Sequence, residues 1–456
     1  MAGTLPKLRS RSAEPTLVVV RRLLLALLLL PGCANKAPLL SLSADALRLP
    51  GGVERTVWFE ATDPEGAALT ITVEATRGAA ELDGPLIRYV APVEPGDDSI
   101  TLRADDGTTS TAAVLDVVVD AAFAWSDPEQ VAATPGNSKS PTLAATADGV
   151  VHIAWHDFTD DPSRLRHAWR GEDGWTVATP DLGPDKVLRA QLRADGDRLH
   201  LVYERFIEGA YDLHHAVFAD ATWSAPEPMG SGRKAAVALN DGRLHAVWFG
   251  EDDVVTHGWL ADTGWESAPI PLDAPFINPI RLALVGTDSG LELGLLLSPG
   301  DTSYDMNVAR WSPEDGWAPP AILHVSMFLG AEEPAGAAGP DGARWAWAEQ
   351  DPDALDTFDV VTMRTGDAAP VSVSALPGLN AAPALAVPSP GGAQVAWIAE
   401  GFDLYVLAAP FDEEPLLLRP LSIAPQMTVD VDGYLHLAWI GDVDGVEQVL
   451  YATTRP

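Results

Sequence analysis

The chain has 456 residues, with 65 Asp+Glu against 29 Lys+Arg, a net charge of −36 and one cysteine. A field of that sign repels polyanions, so nucleic acid is excluded as a partner and an anionic lipid surface finds no basic footprint. A single cysteine excludes a disulfide scaffold, and a chain of this length buries ample core without one.

Lys7, Arg9, Arg11, Arg21 and Arg22 precede the apolar run LLLALLLL, Leu23 to Leu30. A bilayer-spanning helix takes about 20 apolar residues, so the run reads as the core of an export signal behind a positive stretch. Pro31, Gly32 and Cys33 follow Leu30. This stretch resembles the bacterial lipobox. The resemblance implies cleavage before Cys33, lipidation of Cys33 and attachment to the membrane by that lipid alone. Residues 1–32 are then the lipoprotein signal peptide and 33–37 a lipidated tether. Ala34, where Asp would retain the chain at the inner membrane, points to the outer membrane or cell surface under the sorting rule of such proteins. Loss of residues 1–32 removes five basic residues and one acidic one and takes the charge to −40.

Residues 38–121 alternate apolar and polar positions in short runs, RTVWFEAT, ALTITVEAT, PLIRYVAP, SITLRADDG and AAVLDVVVD. Each predicts a strand of five to eight residues, and Asp63-Pro64-Glu65-Gly66, Glu94-Pro95-Gly96 and Asp105-Asp106-Gly107 mark turns. Strands at this spacing predict a small antiparallel β-sandwich. The stretch resembles the cadherin-like and immunoglobulin-like modules of bacterial surface proteins. Members of those families can hold calcium on clustered carboxylates, and the resemblance makes Asp63, Glu65, Asp105 and Asp106 the candidate ligands. Calcium takes six to eight oxygens, commonly from turns, but acidic turn residues facing water are the competing reading. No other cofactor is expected, and the unit's expected role is a spacer.

From Trp125 the chain repeats itself. VHIAW, LHLVY, LHAVW, LELGL, ARWAW, AQVAW and LHLAW end at Trp155, Tyr203, Trp248, Leu295, Trp347, Trp397 and Trp439, at intervals of 48, 45, 47, 52, 50 and 42 residues. Seven units of that length predict a seven-bladed β-propeller over residues 122–456, each blade four antiparallel strands, A to D. Asp-Gly turns precede several B strands and suit tight hairpins. Strand D opens with Trp175, Trp223, Trp265 and Trp317 in the first four units. The seventh unit stops after strand C, and WSDPEQV at Trp125–Val131 matches WSAPEPM at Trp223–Met229. The fourth strand of the last blade is therefore expected at the front, closing the ring. The fold class is all-β. The repeat resembles the sialidase-like, BNR-repeat propellers, although the Ser-x-Asp-x-Gly-x-x-Trp box of true sialidases is absent.

Seven of the ten histidines fall in register: His152, His200, His245 and His436 in strand B, and His167, His215 and His257 in strand C. Paired histidines suit a metal, and packing between blades is the competing reading. The B-to-C loops each carry at least two carboxylates, and six of the seven carry Phe or Tyr. Carboxylates accept sugar hydroxyls and aromatic rings stack on sugar faces. From these loops Asp157, Phe158, Glu204, Tyr211, Phe249, Glu349 and Glu400 are candidate ligand-binding residues. Arg189, Lys234 and Arg281, near the start of three consecutive A strands, would grip an anionic ligand at the channel mouth, or pair with nearby acids. The expected function is a non-catalytic, monomeric surface protein that binds a glycan or protein ligand through this loop face. The rival is a glycan-active enzyme, hydrolase or lyase, using Asp157, Glu204, Glu349 or Glu400.

Overall fold

The computed structural model describes residues 35–456 apart from 45, 122–123, 161, 172, 184–185, 273–280, 298–303, 327–333, 352–353, 375, 377, 389–391, 410 and 412–413. Cys33 and the leader lie outside the described residues. The described chain is strands and turns, with one three-residue 3₁₀ turn at Glu251–Asp253.

Two four-stranded sheets come first. One runs Leu39–Leu42, Glu54–Thr62, Leu86–Val90, Ala79–Asp83, the other Ala46–Pro50, Ser110–Asp120, Gly96–Asp105, Thr70–Ala75. Their inward faces share one core, Val57, Phe59, Ile87 and Tyr89 from the first against Leu49, Ile100, Leu102, Leu115 and Val117 from the second. Full burial of each aliphatic side chain is worth about 1.5–3 kcal/mol. The expectation of a wholly antiparallel unit fails at one pair, because Ala46–Pro50 runs parallel to Ser110–Asp120. Leu39–Leu42 and Ala46–Pro50, close in sequence, belong to different sheets.

Seven antiparallel sheets follow among the described residues. Their A strands are Ser138–Ala145, Lys186–Asp195, Arg233–Asn240, Arg281–Thr287, Ala335–Gly339, Ala381–Ala386 and Ser422–Val429. Each A strand touches that of the next sheet, and the last touches the first. A closed cycle of innermost strands with B, C and D outside them is a β-propeller. The unit around Leu295 forms a sheet of its own, with Arg281–Thr287 paired to Gly290–Leu297 and then Tyr304–Ser312. In the seventh sheet Val446–Thr453 pairs with Glu129–Gln130, in the register Leu450 to Gln130 and Tyr451 to Glu129. Ser126 N donates to Thr453 O at 2.8 Å and Val131 N to Val449 O at 3.0 Å. The front strand thus completes the last sheet and removes its open edge.

The repeated aromatics hold neighbouring sheets together. Trp223, Trp265 and Trp317 of strand D stand edge-on to His167, His215 and His257 of strand C in the preceding sheet, with centroids 5.1, 5.4 and 5.3 Å apart. Trp175 does the same to Tyr451 of the seventh sheet at 5.1 Å. The corresponding C-strand residues of the fourth and fifth sheets, Val308 and Thr362, offer no such ring, and the sheets after them lack the strand D tryptophan.

The N-terminal sheets dock on the A-to-B turn of the seventh sheet. Arg55 donates to Val431 O and pairs with Asp432 at 3.2 Å, while the Tyr434 hydroxyl donates to Asp120. In an antiparallel meander the A-to-B turns lie at the end opposite the B-to-C loops. The described N-terminal sheets therefore lie at the end opposite the loop face.

Candidate functional site

The site is set by a device repeated in strand A. Ser140, Arg189, Lys234, Ala382 and Ala424 have φ of 51°, 42°, 55°, 50° and 53°, and at each the A-to-B pairing slips by a bulge. A side chain in this left-handed region costs about 1–2 kcal/mol, so packing must hold it there. In the second and third sheets a buried carboxylate helps do so. Glu204, 2% exposed, accepts the Lys234 backbone N–H and lies 4.0 Å from Arg189 Nε. Arg189 and Lys234 thus meet at one acid, while Arg281 opens the fourth A strand opposite Leu296. Pro141, Pro383 and Pro425 each sit one residue past their bulge.

A cleft of about 240 Å³ opens between the second and third sheets. Phe249, at the end of strand B, lies along its edge, and Lys234 Nζ lies 5.8 Å above the Phe249 ring. Tyr211, 38% exposed, forms a wall and leans on Phe206 at 5.0 Å. Arg233 and Asp253, paired at 2.6 Å, lie on the rim with Glu251 and Asp252. Gly232 permits this close fit, since a Cβ there would lie 2.3 Å from Trp248 Cδ1.

Burial separates the remaining candidates. Phe249, read as a loop aromatic, is 1% exposed because it ends strand B and packs between the third and fourth sheets. Asp157 is likewise 1% exposed. It accepts Thr159 N at 2.9 Å, the Thr159 hydroxyl, and Arg166 Nε at 2.9 Å. Burial alone would raise its carboxyl, but those donors hold it below the ordinary range. Phe158 is 44% exposed beneath Lys139 Nζ. Glu349 Oε2 accepts Trp347 Nε1 at 3.1 Å and lies 3.1 Å from His324 Nε2. Glu400 is exposed and lies beside Gly378.

Three of the four carboxylates proposed for calcium serve turns, and the fourth pairs with a lysine. Asp63 accepts Glu65 N and Ala67 N, Asp105 accepts Gly107 N, and Glu65 pairs with Lys36 at 3.8 Å. Asp106 accepts Thr109 N, Thr108 N, Asn35 Nδ2 and the Thr109 hydroxyl, which hold it far below the usual carboxylate range. Among the described residues no three of His, Cys, Asp or Glu are grouped to hold a metal ion. Six of the seven registered histidines bond one another, Nδ1 of His152, His200 and His245 lying 3.1, 2.9 and 3.0 Å from Nε2 of His167, His215 and His257, while His436 Nδ1 lies 2.6 Å from the Tyr451 hydroxyl.

Arg193, which sequence reasoning passed over, lies on the second A strand and donates to Val237 O and Leu192 O. Burial pushes its guanidinium down to about 10. Its signal was present, because the equivalent A-strand residues are small or aliphatic, among them Ala144, Ala238 and Ala386.

No family model and no curated protein matches the chain. Among solved structures it is similar to AofleA from Arthrobotrys oligospora, at 14% identity over 65% of this chain and 91% of that one, with a TM-score of 0.41. It is also similar to the six-bladed fungal lectin of Aleuria aurantia, at 13% over 68% and 96%, TM-score 0.38. The β-propeller domain of the Trilobed protease from Pyrococcus furiosus matches at 7% over 84% and 97%, TM-score 0.39. Likenesses this distant lend the chain neither a ligand nor a blade count. The propeller assignment stands on the strand pairings.

Proposed function

We propose that the protein is an exported, lipid-anchored, non-catalytic binding protein that takes a glycan or protein ligand on its loop face, with carbohydrate the better fit. In this reading a monomeric seven-bladed propeller of sialidase-like type stands on an immunoglobulin-like sandwich, which spaces it from the lipid at Cys33. The observation that carries it is the cleft of the second and third sheets. Tyr211 and Phe206 offer exposed aromatic surface, and Glu251, Asp252 and Asp253 with Arg233 offer acceptors and donors on its rim. Docking of the N-terminal sheets at the opposite end supports display of this face away from the membrane.

The enzyme reading is weakened at two of its four acids. A general acid must hold a proton near neutral pH, and Asp157 is held ionised by its donors. Glu204 is buried and accepts a backbone N–H. The exported chain should bind members of a glycan array and release no chromophore from chromogenic glycosides. Turnover of any glycoside, lost on Glu349→Gln or Glu400→Gln, would establish the enzyme instead. An array without binders, together with capture of one purified surface protein, would move the ligand to protein.

A further inference from the structure

The second sheet has another face, and on it the repeat is broken. Strand B ends its motif in Tyr203 where five of the other six sheets have tryptophan. Opposite Tyr203, strand C carries His214, and no other C strand has histidine at that register. The repeating histidine of this strand is the next residue, His215, so packing copied from sheet to sheet does not account for His214.

His214 and Tyr203 stack with centroids 5.6 Å apart. His214 is 8% exposed, and neither of its ring nitrogens has a hydrogen-bond partner among the described residues. The Tyr203 hydroxyl is also buried and without one. Native interiors leave few such groups bare, and several at one place ask for an occupant. His214 lines a cleft of about 500 Å³ between the first and second sheets, a size suited to a small ligand. Asp181, on the connection leaving the first sheet, Arg205 of strand B and Trp223 of strand D are among its other lining residues.

We propose that this cleft is a second binding site, distinct from the one lined by Tyr211, and that it takes a neutral saccharide of one or two units. Burial lowers the His214 imidazole below its ordinary range, and in the neutral ring one nitrogen donates and the other accepts. A sugar hydroxyl does both. Arg205 and Asp181 add donors and an acceptor of opposite charge, which fits a polar ligand without net charge. An anion would meet Asp181 in a strongly acidic chain. Trp223 supplies aromatic surface for an apolar sugar face.

The test is a ring ¹H–¹⁵N spectrum of the exported protein labelled at histidine, with His214 assigned by its loss in His214→Phe, which keeps an aromatic ring against Tyr203. Glucose, galactose, N-acetylglucosamine, cellobiose, lactose and glucuronate serve as probes at millimolar concentration. At least one neutral sugar should shift both His214 nitrogens, and Asp181→Asn, at an exposed position that tolerates change, should weaken that titration by roughly tenfold, about 1.4 kcal/mol. The proposal is overturned if no probe moves His214, if glucuronate binds more tightly than every neutral sugar, or if Asp181→Asn leaves the titration unchanged. A sugar that binds the protein without moving His214 also overturns it and leaves the Tyr211 cleft as the site.

Discussion

His152 and His167 share one hydrogen bond, as do His200 with His215 and His245 with His257. Neither partner can be charged cheaply where both are buried. Burial, with the neighbouring histidine adding to it in strand C, pushes His152 and His245 down to about 4 and His167, His215 and His257 to about 3. The unfolded chain takes protons near pH 6.5 and the folded chain does not, so stability falls as pH drops from about 6.5 toward 4. Each depressed histidine removes about 1–2 kcal/mol by pH 5. The urea midpoint should therefore decrease from pH 7 to pH 5, and an unchanged midpoint would refute the buried network. His167→Ala should cost about 1–3 kcal/mol, because it leaves His152 Nδ1 without its partner and Trp223 Nε1 without the acceptor it has at 3.3 Å. A loss below about 0.5 kcal/mol in chemical denaturation would count against that role. The histidines and tryptophans were legible in the sequence because they recur. The burial of Phe249 and Glu204 was not, since a residue near the end of the B-strand motif reads the same whether it points into a loop or into the next sheet.

The strand boundaries followed from alternation and Asp-Gly turns, and the split seventh sheet followed from the match of WSDPEQV to WSAPEPM. The bulges escaped that reading. Ser140, Arg189, Lys234, Ala382 and Ala424 adopt positive φ without a glycine to announce it, and the slip of one residue hid which side chains share a register. Contact between A strands also has consequences for stability. A Cβ on Gly286 would lie 1.8 Å from Leu239 O of the neighbouring A strand, so Gly286→Ala must push two sheets apart. It should lower Tm by several degrees, whereas Gly171→Ala, whose nearest neighbour would be 3.8 Å away, should leave Tm within about a degree. Equal effects would show that the A strands are not packed so closely. At the closing seam Gln448 accepts Thr134 N at 3.0 Å and donates to Thr134 O at 3.1 Å. Gln448→Ala should speed amide exchange at Val131 and Thr453 before it affects the second and third sheets. Uniform acceleration would argue against a latch at this position.

At the scale of the whole molecule, the described N-terminal sheets hold one end of the propeller and leave the other to its loops. Arg48, Arg55, Asp120 and Tyr434 join the N-terminal sheets to the Asp430–Tyr434 turn through charge-assisted bonds, and Val53 lies against Gly433. The opposite end presents the cleft of Tyr211 and Phe249, bordered by acids. Acidic loops with aromatics were visible in the sequence, but which of them would meet was not, because the answer depends on the parity of each strand across a sheet boundary. The most direct test of the account is isothermal titration of the exported protein with the strongest binder from a glycan array, repeated with Phe206→Ala and Tyr211→Ala. The account predicts a binder whose affinity falls at least tenfold in Tyr211→Ala and less in Phe206→Ala, with Tm unchanged in both. Undiminished affinity in both variants would contradict it.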